Sequence, residues 1–189
     1  KNKSGKNTTS FSNHGASVTR AIFHPKKEWV ITASEDHNIN IFTKDGKVFK
    51  TLRKHTGSVT DITLSADGLK LYSSSADKSI RSWNLENFLT EELPNVTHSR
   101  RITGIALQPT TSSIYSISED KSIGIWNANT FHKRTSPSSP LLFSTVSQNE
   151  EWLAATSLAG DAKLWRIKAG NDLKFYSYPN HVADKNAIA

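Results

Sequence analysis

Apolar side chains recur along this chain in short, unevenly spaced triplets. Val18, Ala21 and Phe23 form one, Val59, Ile62 and Leu64 a second, and Ile102, Ile105 and Leu107 a third. A strand with one buried face alternates with a step of two. Here the first step is three. One extra residue, a β-bulge, returns both side chains to the same face. In the second copy, Ser65 to Gly68 then reads as a turn, Leu69 to Ser75 as a second strand and Ala76-Asp77-Lys78 as a tight turn. Ile80 to Trp83 follows as a third strand, and Leu85 to Leu93 as an outer fourth. No long stretch carries a helical period. Short strands parted by Gly, Asp, Asn and Pro turns predict an all-β fold.

The pattern repeats. SADKSIRSW at Ser75 to Trp83 returns as SEDKSIGIW at Ser118 to Trp126. It appears earlier as SEDHNINIF at Ser34 to Phe42, and in altered form as SLAGDAKLW at Ser157 to Trp165. The copies lie about 40 residues apart, a spacing that signals a repeat architecture. SGKNTTSFSNH (Ser4 to His14) aligns with DGKVFKTLRKH (Asp45 to His55), and HVADKNAIA (His181 to Ala189) looks like the opening of a further cycle. The expected units are residues 1–13 as the outer strand of a preceding unit, then 14–54, 55–97, 98–136 and 137–180. Residues 181–189 would be the first strand of a following unit. The chain is therefore expected to be a fragment of a longer protein.

Composition narrows the function classes. The 189 residues carry a net charge of +7, with 35% hydrophobic and 22% charged positions and neither Cys nor Met. Without cysteine there is no disulfide, thiolate metal site or Cys nucleophile. No apolar run is long enough to span a membrane, and no signal peptide is legible, so a cytoplasmic location is expected. Lys and Arg are scattered, in small knots such as Arg100-Arg101 and Lys133-Arg134. They read as solvated turns and outer strands. No nucleic-acid motif accompanies the charge, which weighs against a nucleic-acid partner.

These repeats resemble the WD-repeat family of β-propellers. The resemblance implies four-stranded antiparallel blades packed radially around a channel. About four whole blades are expected, forming an open arc cut from a larger ring. It also implies a structural network in each blade. The residues are His55, Ser75, Asp77 and Trp83 in the second, and His98, Ser118, Asp120 and Trp126 in the third. The first has His14, Ser34 and Asp36, with Phe42 in place of Trp. The fourth keeps Ser157 and Trp165 but has Ala159 for Asp and Pro137 for His, and is expected to be the least rigid. A buried carboxylate is costly unless hydrogen-bonded, and His, Ser and Trp can supply those bonds.

The recurrence of His, Ser and Asp argues against a protease: one active site does not come in several copies, and a catalytic Ser needs an oxyanion hole and a cleft. No HExxH, close His/Asp cluster or glycine-rich phosphate loop occurs. No catalytic residue, cofactor or metal is assigned. The resemblance implies a platform for other proteins, with contacts on the narrow face around the channel. Position by position these are Ser17, Thr19 and Glu35; Ser58, Thr60 and Ala76; Arg101, Thr103 and Glu119; and Pro140, Leu142 and Leu158. Arg100, Arg101 and Glu119 make a charged spot, and Arg grips carboxylates bidentately, so a protein or peptide with an acidic segment is the expected partner, besides the remaining blades of the same chain. The alternatives are an enzyme or signalling domain attached outside these residues, and basic-surface binding of nucleic acid. An open arc exposes apolar end faces, which predicts association of the isolated chain.

Overall fold

The computed structural model describes residues 9–93, 98–127, 130–135, 139–167 and 173–177. They form four antiparallel sheets of four strands, each a simple meander. The first sheet holds β1 (Val18–Phe23), β2 (Trp29–Ser34), β3 (Asn38–Thr43) and β4 (Val48–Arg53). The second holds β5 (Val59–Leu64), β6 (Lys70–Ser75), β7 (Ile80–Asn84) and β8 (Thr90–Glu92). The third holds β9 (Ile102–Gln108), β10 (Ser113–Ser118), β11 (Ser122–Asn127) and β12 (Thr130–Thr135). The fourth holds β13 (Leu141–Val146), β14 (Trp152–Ser157), β15 (Ala162–Ile167) and β16 (Leu173–Ser177). No helix occurs among the described residues. These are the expected blades.

The three-residue step in the apolar pattern has its physical cause in every first strand. The register slips between Val18 and Arg20, between Val59 and Asp61, and between Leu141 and Phe143. In the third sheet Ile102 faces Ser118 while Gly104 faces Ile117, so Thr103 is the extra residue. The bulge lets Val59 and Ile62 enter one core, where both are almost fully buried.

One element differs from expectation. The outer strand read over Leu85 to Leu93 is only Thr90–Glu92. Residues 84–89 form a turn instead. The Asn84 side-chain oxygen accepts the N–H groups of Glu86 and Asn87, and Phe88 adopts a left-handed φ of 60°. An Asn that binds the backbone two residues ahead diverts the chain from a strand. The third sheet, by contrast, has a full outer strand in the six-residue β12.

Hydrophobic side chains fill the spaces between blades. Ile31, Ile39 and Ile41 meet Val59, Ile62, Leu71 and Trp83 between the first two sheets. Tyr72 and Ile80 meet Ile102, Ile105, Ile114 and Trp126 between the next two. Tyr115, Ile117 and Ile123 meet Leu141, Leu153 and Trp165 between the last two. Each first strand packs on that of the next blade in the order β1, β5, β9, β13, and among the described residues the ring is not closed. At the open ends Phe23 is 82% exposed and Phe143 72%. Of residues 1–13, the described residues 9–13 carry no strand; Phe11 packs edge-on against Phe42 at 5.4 Å. Residues 181–189 lie outside the described residues.

Candidate interaction face

The turn between the second and third strands of the first three blades is built by one hydrogen-bond chain, seen whole in the second blade. His55 Nδ1 lies 2.8 Å from an Asp77 carboxylate oxygen and must donate to it. In that tautomer Nε2 is the acceptor, and the Ser73 hydroxyl lies 2.8 Å from it. Ser73 Oγ in turn accepts the Trp83 indole N–H at 2.8 Å. Asp77 also receives the Thr56 and Ser79 amides and the Ser79 hydroxyl. Burial pushes the Asp77 carboxyl up, but bonds from His55 and Ser79 outweigh it and hold the group well below the usual carboxylate range. Gly57 lies beneath this turn, where a Cβ would come within 2.8 Å of the Asp77 nitrogen.

The serine joining His to Trp is therefore Ser73, and Ser75 has a different task. Ser75 Oγ donates to the Gly57 carbonyl and accepts the Asp77 amide, which ties the segment leading into the first strand to the turn. Ser118 and Ser34 do the same work in their blades. Ser116 is the bridge of the third blade, 2.8 Å from His98 and 3.3 Å from the Trp126 indole. In the first blade the bridge is Thr32, 2.7 Å from His14 Nε2, and Phe42 has no N–H to offer it. The Asp36 carboxyl is pushed up by burial and more strongly lowered by the Gly15 and Asn38 amides and His14.

The fourth blade solves its turn in another way. Ala155 stands at the bridge position and Ala159 at the Asp position. Asp161, two residues later, receives the Ser157 hydroxyl, while Ser157 Oγ still accepts the Ala159 amide at 3.2 Å. Pro137 lies outside the described residues. Neither the bridging hydroxyls nor Asp161 was singled out from the sequence. The signal was present: a Ser or Thr recurs two residues before the motif in three of four copies.

With the turns fixed, the expected contact residues can be placed. Backbone bonds set them in pairs: the carbonyls of Ser17, Ser58, Arg101 and Pro140 accept the amides of Glu35, Ala76, Glu119 and Leu158. The middle residue of each set behaves differently. Thr19 donates to the Val59 carbonyl at 2.7 Å and Thr103 to the Leu141 carbonyl at 2.6 Å, tying one blade to the next. Thr60 is buried against Ser74. These hydroxyls are spent on the scaffold because the bulge turns them inward, and only Leu142 of the four lacks one.

At the third and fourth blades a cleft of about 360 Å³ is lined by Ser99, Arg100, Glu119, Asp120, Lys121 and Pro140. Asp120 belongs to the turn network. Among the described residues Arg100, Arg101, Glu119 and Lys121 have no ion-pair partner. No group of His, Asp or Glu able to hold a metal occurs among the described residues.

The sequence model described as "WD domain, G-beta repeat" matches residues 5–43, 46–84 and 91–127, more than half of the chain. The chain belongs to the WD-repeat family. Its curated relatives include mouse striatin, 38% identical over 82 residues, which are 43% of this chain and 10% of striatin. Rat striatin-3 is 39% identical over 77 residues, 40% of this chain and 9% of that protein. A bromodomain and WD repeat-containing protein of Dictyostelium discoideum is 31% identical over 93 residues, 49% of this chain and 4% of its own length. The matched segment thus spans a tenth or less of these relatives. WD repeats of this kind support a protein-interaction scaffold as the general role.

Proposed function

We propose that this chain is a non-catalytic WD-repeat platform within a larger protein or complex, and that it grips an acidic protein segment at the Arg100–Arg101 corner of its third blade. The supporting observation is the unpaired charge at the cleft: Arg100, Glu119 and Lys121 line it, Arg101 adjoins it through its carbonyl, which accepts the Glu119 amide, and none of the four has an ion-pair partner among the described residues. A guanidinium without a carboxylate partner is available for a bidentate bond. Glu119 sets a second requirement, a cation next to the partner's acidic group, and this gives orientation as well as attraction. On this reading residues 14–54, 55–97, 98–136 and 137–180 are successive blades, and the repeated His–Asp networks are scaffolding that carries no chemistry.

Arg101→Glu is expected to weaken capture of a bound acidic partner about tenfold or more, on the scale of a reversed charge at an interface. Folding is checked by an unchanged melting profile. Undiminished capture by a folded variant overturns the assignment of this corner.

A further inference from the structure

The opposite end of the sheets carries a second feature that the repeat network does not use. In an antiparallel meander the first and third turns fall at one end and the middle turn at the other. The Asp36 and Asp77 turns are middle turns. At the far end Trp29 stacks on Phe49 with ring centres 4.9 Å apart, and both rings meet Phe88 of the second blade at 6.4 and 5.9 Å. Lys27 Nζ lies 4.1 Å from the Trp29 ring centre, and Lys50 Nζ lies 5.4 Å from that of Phe88. Phe49 is 50% exposed, and Leu89, next to Phe88, is 68% exposed. Neither lysine has a carboxylate partner among the described residues, whereas Lys44 and Lys47 nearby are paired with Glu28 and Asp45.

We infer that this aromatic and lysine patch, shared by the first two blades, is a second docking surface for a short peptide with an apolar anchor flanked by carboxylates. Exposed Phe49 and Leu89 offer apolar area to the anchor, and apolar area gathered at one place on a surface marks binding. Lys27 and Lys50 hold their charge beside that area. A cation over a ring retains attraction for an incoming carboxylate, and the rings fix where it sits. A single-stranded nucleic acid fits less well. Bases need open ring faces, but Trp29 and Phe88 are only partly exposed and one face of Phe49 is occupied by Trp29.

The test is fluorescence anisotropy of the full chain with a fluorescein-labelled peptide carrying Phe and Leu among Glu residues. The same peptide with Lys for Glu and an oligothymidylate serve as the two other probes. The Glu peptide is expected to bind and to weaken with added salt. Lys50→Glu and Phe49→Ser should each weaken it about fivefold or more, while Lys78→Glu, at the other end of the sheets, should change it less than twofold. Thermal melts confirm that each variant is folded. The inference is overturned if the Glu peptide does not bind, if the Lys peptide binds equally well, if oligothymidylate binds more tightly, or if Lys50→Glu has no effect.

Discussion

The second and fourth blades share a sheet topology but hold it together differently. Both have four antiparallel strands, a bulged first strand and a tryptophan at the end of the third. In the second, five side chains join the approach to the first strand, the middle turn and two strands through a carboxylate and an imidazole. In the fourth, Ala155 and Ala159 remove the hydroxyl and the carboxylate, and Asp161 supports the turn from two residues along. The fourth also places Ser144 where the second and third have Ile62 and Ile105, and the Ser144 hydroxyl is buried without a hydrogen-bond partner among the described residues. The difference teaches that the strand pattern and its bulge suffice to define a blade. The polar network adds rigidity to a sheet that the apolar pattern has already specified.

The largest effect should come from the carboxylate. Asp77→Ala leaves the His55 ring, two amides and the Ser79 hydroxyl without their acceptor. Orphaning buried donors around a lost charge costs about 3 kcal/mol, read as a lower urea midpoint. Ala159→Asp in the fourth blade should shift stability by less than about 0.5 kcal/mol, as at an ordinary surface site. Equal costs in the two blades would break the contrast. The same carboxyl sets an acid limit. A carboxyl held below its unfolded value of about 3.9 stabilises the fold above that pH, and the contribution is lost as pH falls through the folded value. Asp77 and Asp36 are both lowered. Amide protection, measured against the intrinsic exchange rate at each pH, should therefore fall in the first two blades as pH drops below about 4, and Asp77→Asn should flatten that response. Asp61 acts in the opposite sense. Burial raises its carboxyl despite bonds from the Ile105 amide and Arg20, so its ionised form opposes folding at neutral pH.

Much of this was legible in the chain, for definable reasons. The bulge was written in the spacing of Val59, Ile62 and Leu64, because a side-chain pattern must match the pleat it packs on. The turn residues were legible because they recur. The bridging Ser73 carried the same signal, a Ser or Thr recurring two residues before the motif, but its role was not legible, since only the fold sets it between His55 and Trp83. The inward turn of Thr19 and Thr103 was likewise invisible: their acceptors belong to the next blade, about 40 residues away. The aromatic cluster of Trp29, Phe49 and Phe88 joins residues from three separate strands and loops, which no local pattern reports.

Smaller effects sharpen the contrast further. Ser73→Ala removes the acceptor for the Trp83 indole and the donor to His55 in one step, and should cost about 2 kcal/mol. Ser144→Val in the fourth blade should act in reverse. It removes an unsatisfied buried hydroxyl and restores a branched apolar side chain to a position that takes Ile in two other blades, for a gain of about 1 kcal/mol. Both are measured by urea denaturation with slopes compared, so that a change in the unfolded state is not taken for one in the fold. A destabilised Ser144→Val variant would show that the hydroxyl has a role the blade depends on.

The smallest effect is the most discriminating. Ala155→Ser installs in the fourth blade the hydroxyl that bridges the second. If that hydroxyl were worth a fixed amount, the gain would mirror the loss in Ser73→Ala. A bridging hydroxyl is a relay: its oxygen must accept from the tryptophan while its proton is given to an imidazole. The His position of this blade is Pro137, which has no imidazole to accept the proton. The new hydroxyl would satisfy at most one of its two sides, and the bond gained would be offset by the desolvation of the other. Ala155→Ser is therefore expected to move the midpoint by less than about 0.5 kcal/mol, against about 2 kcal/mol for Ser73→Ala. A gain as large as the loss in the second blade would mean that each hydrogen bond counts by itself. A null result would mean that the network stabilises only as a whole, so that once its His was replaced the rest could drift to Ala155 and Ala159 without further cost.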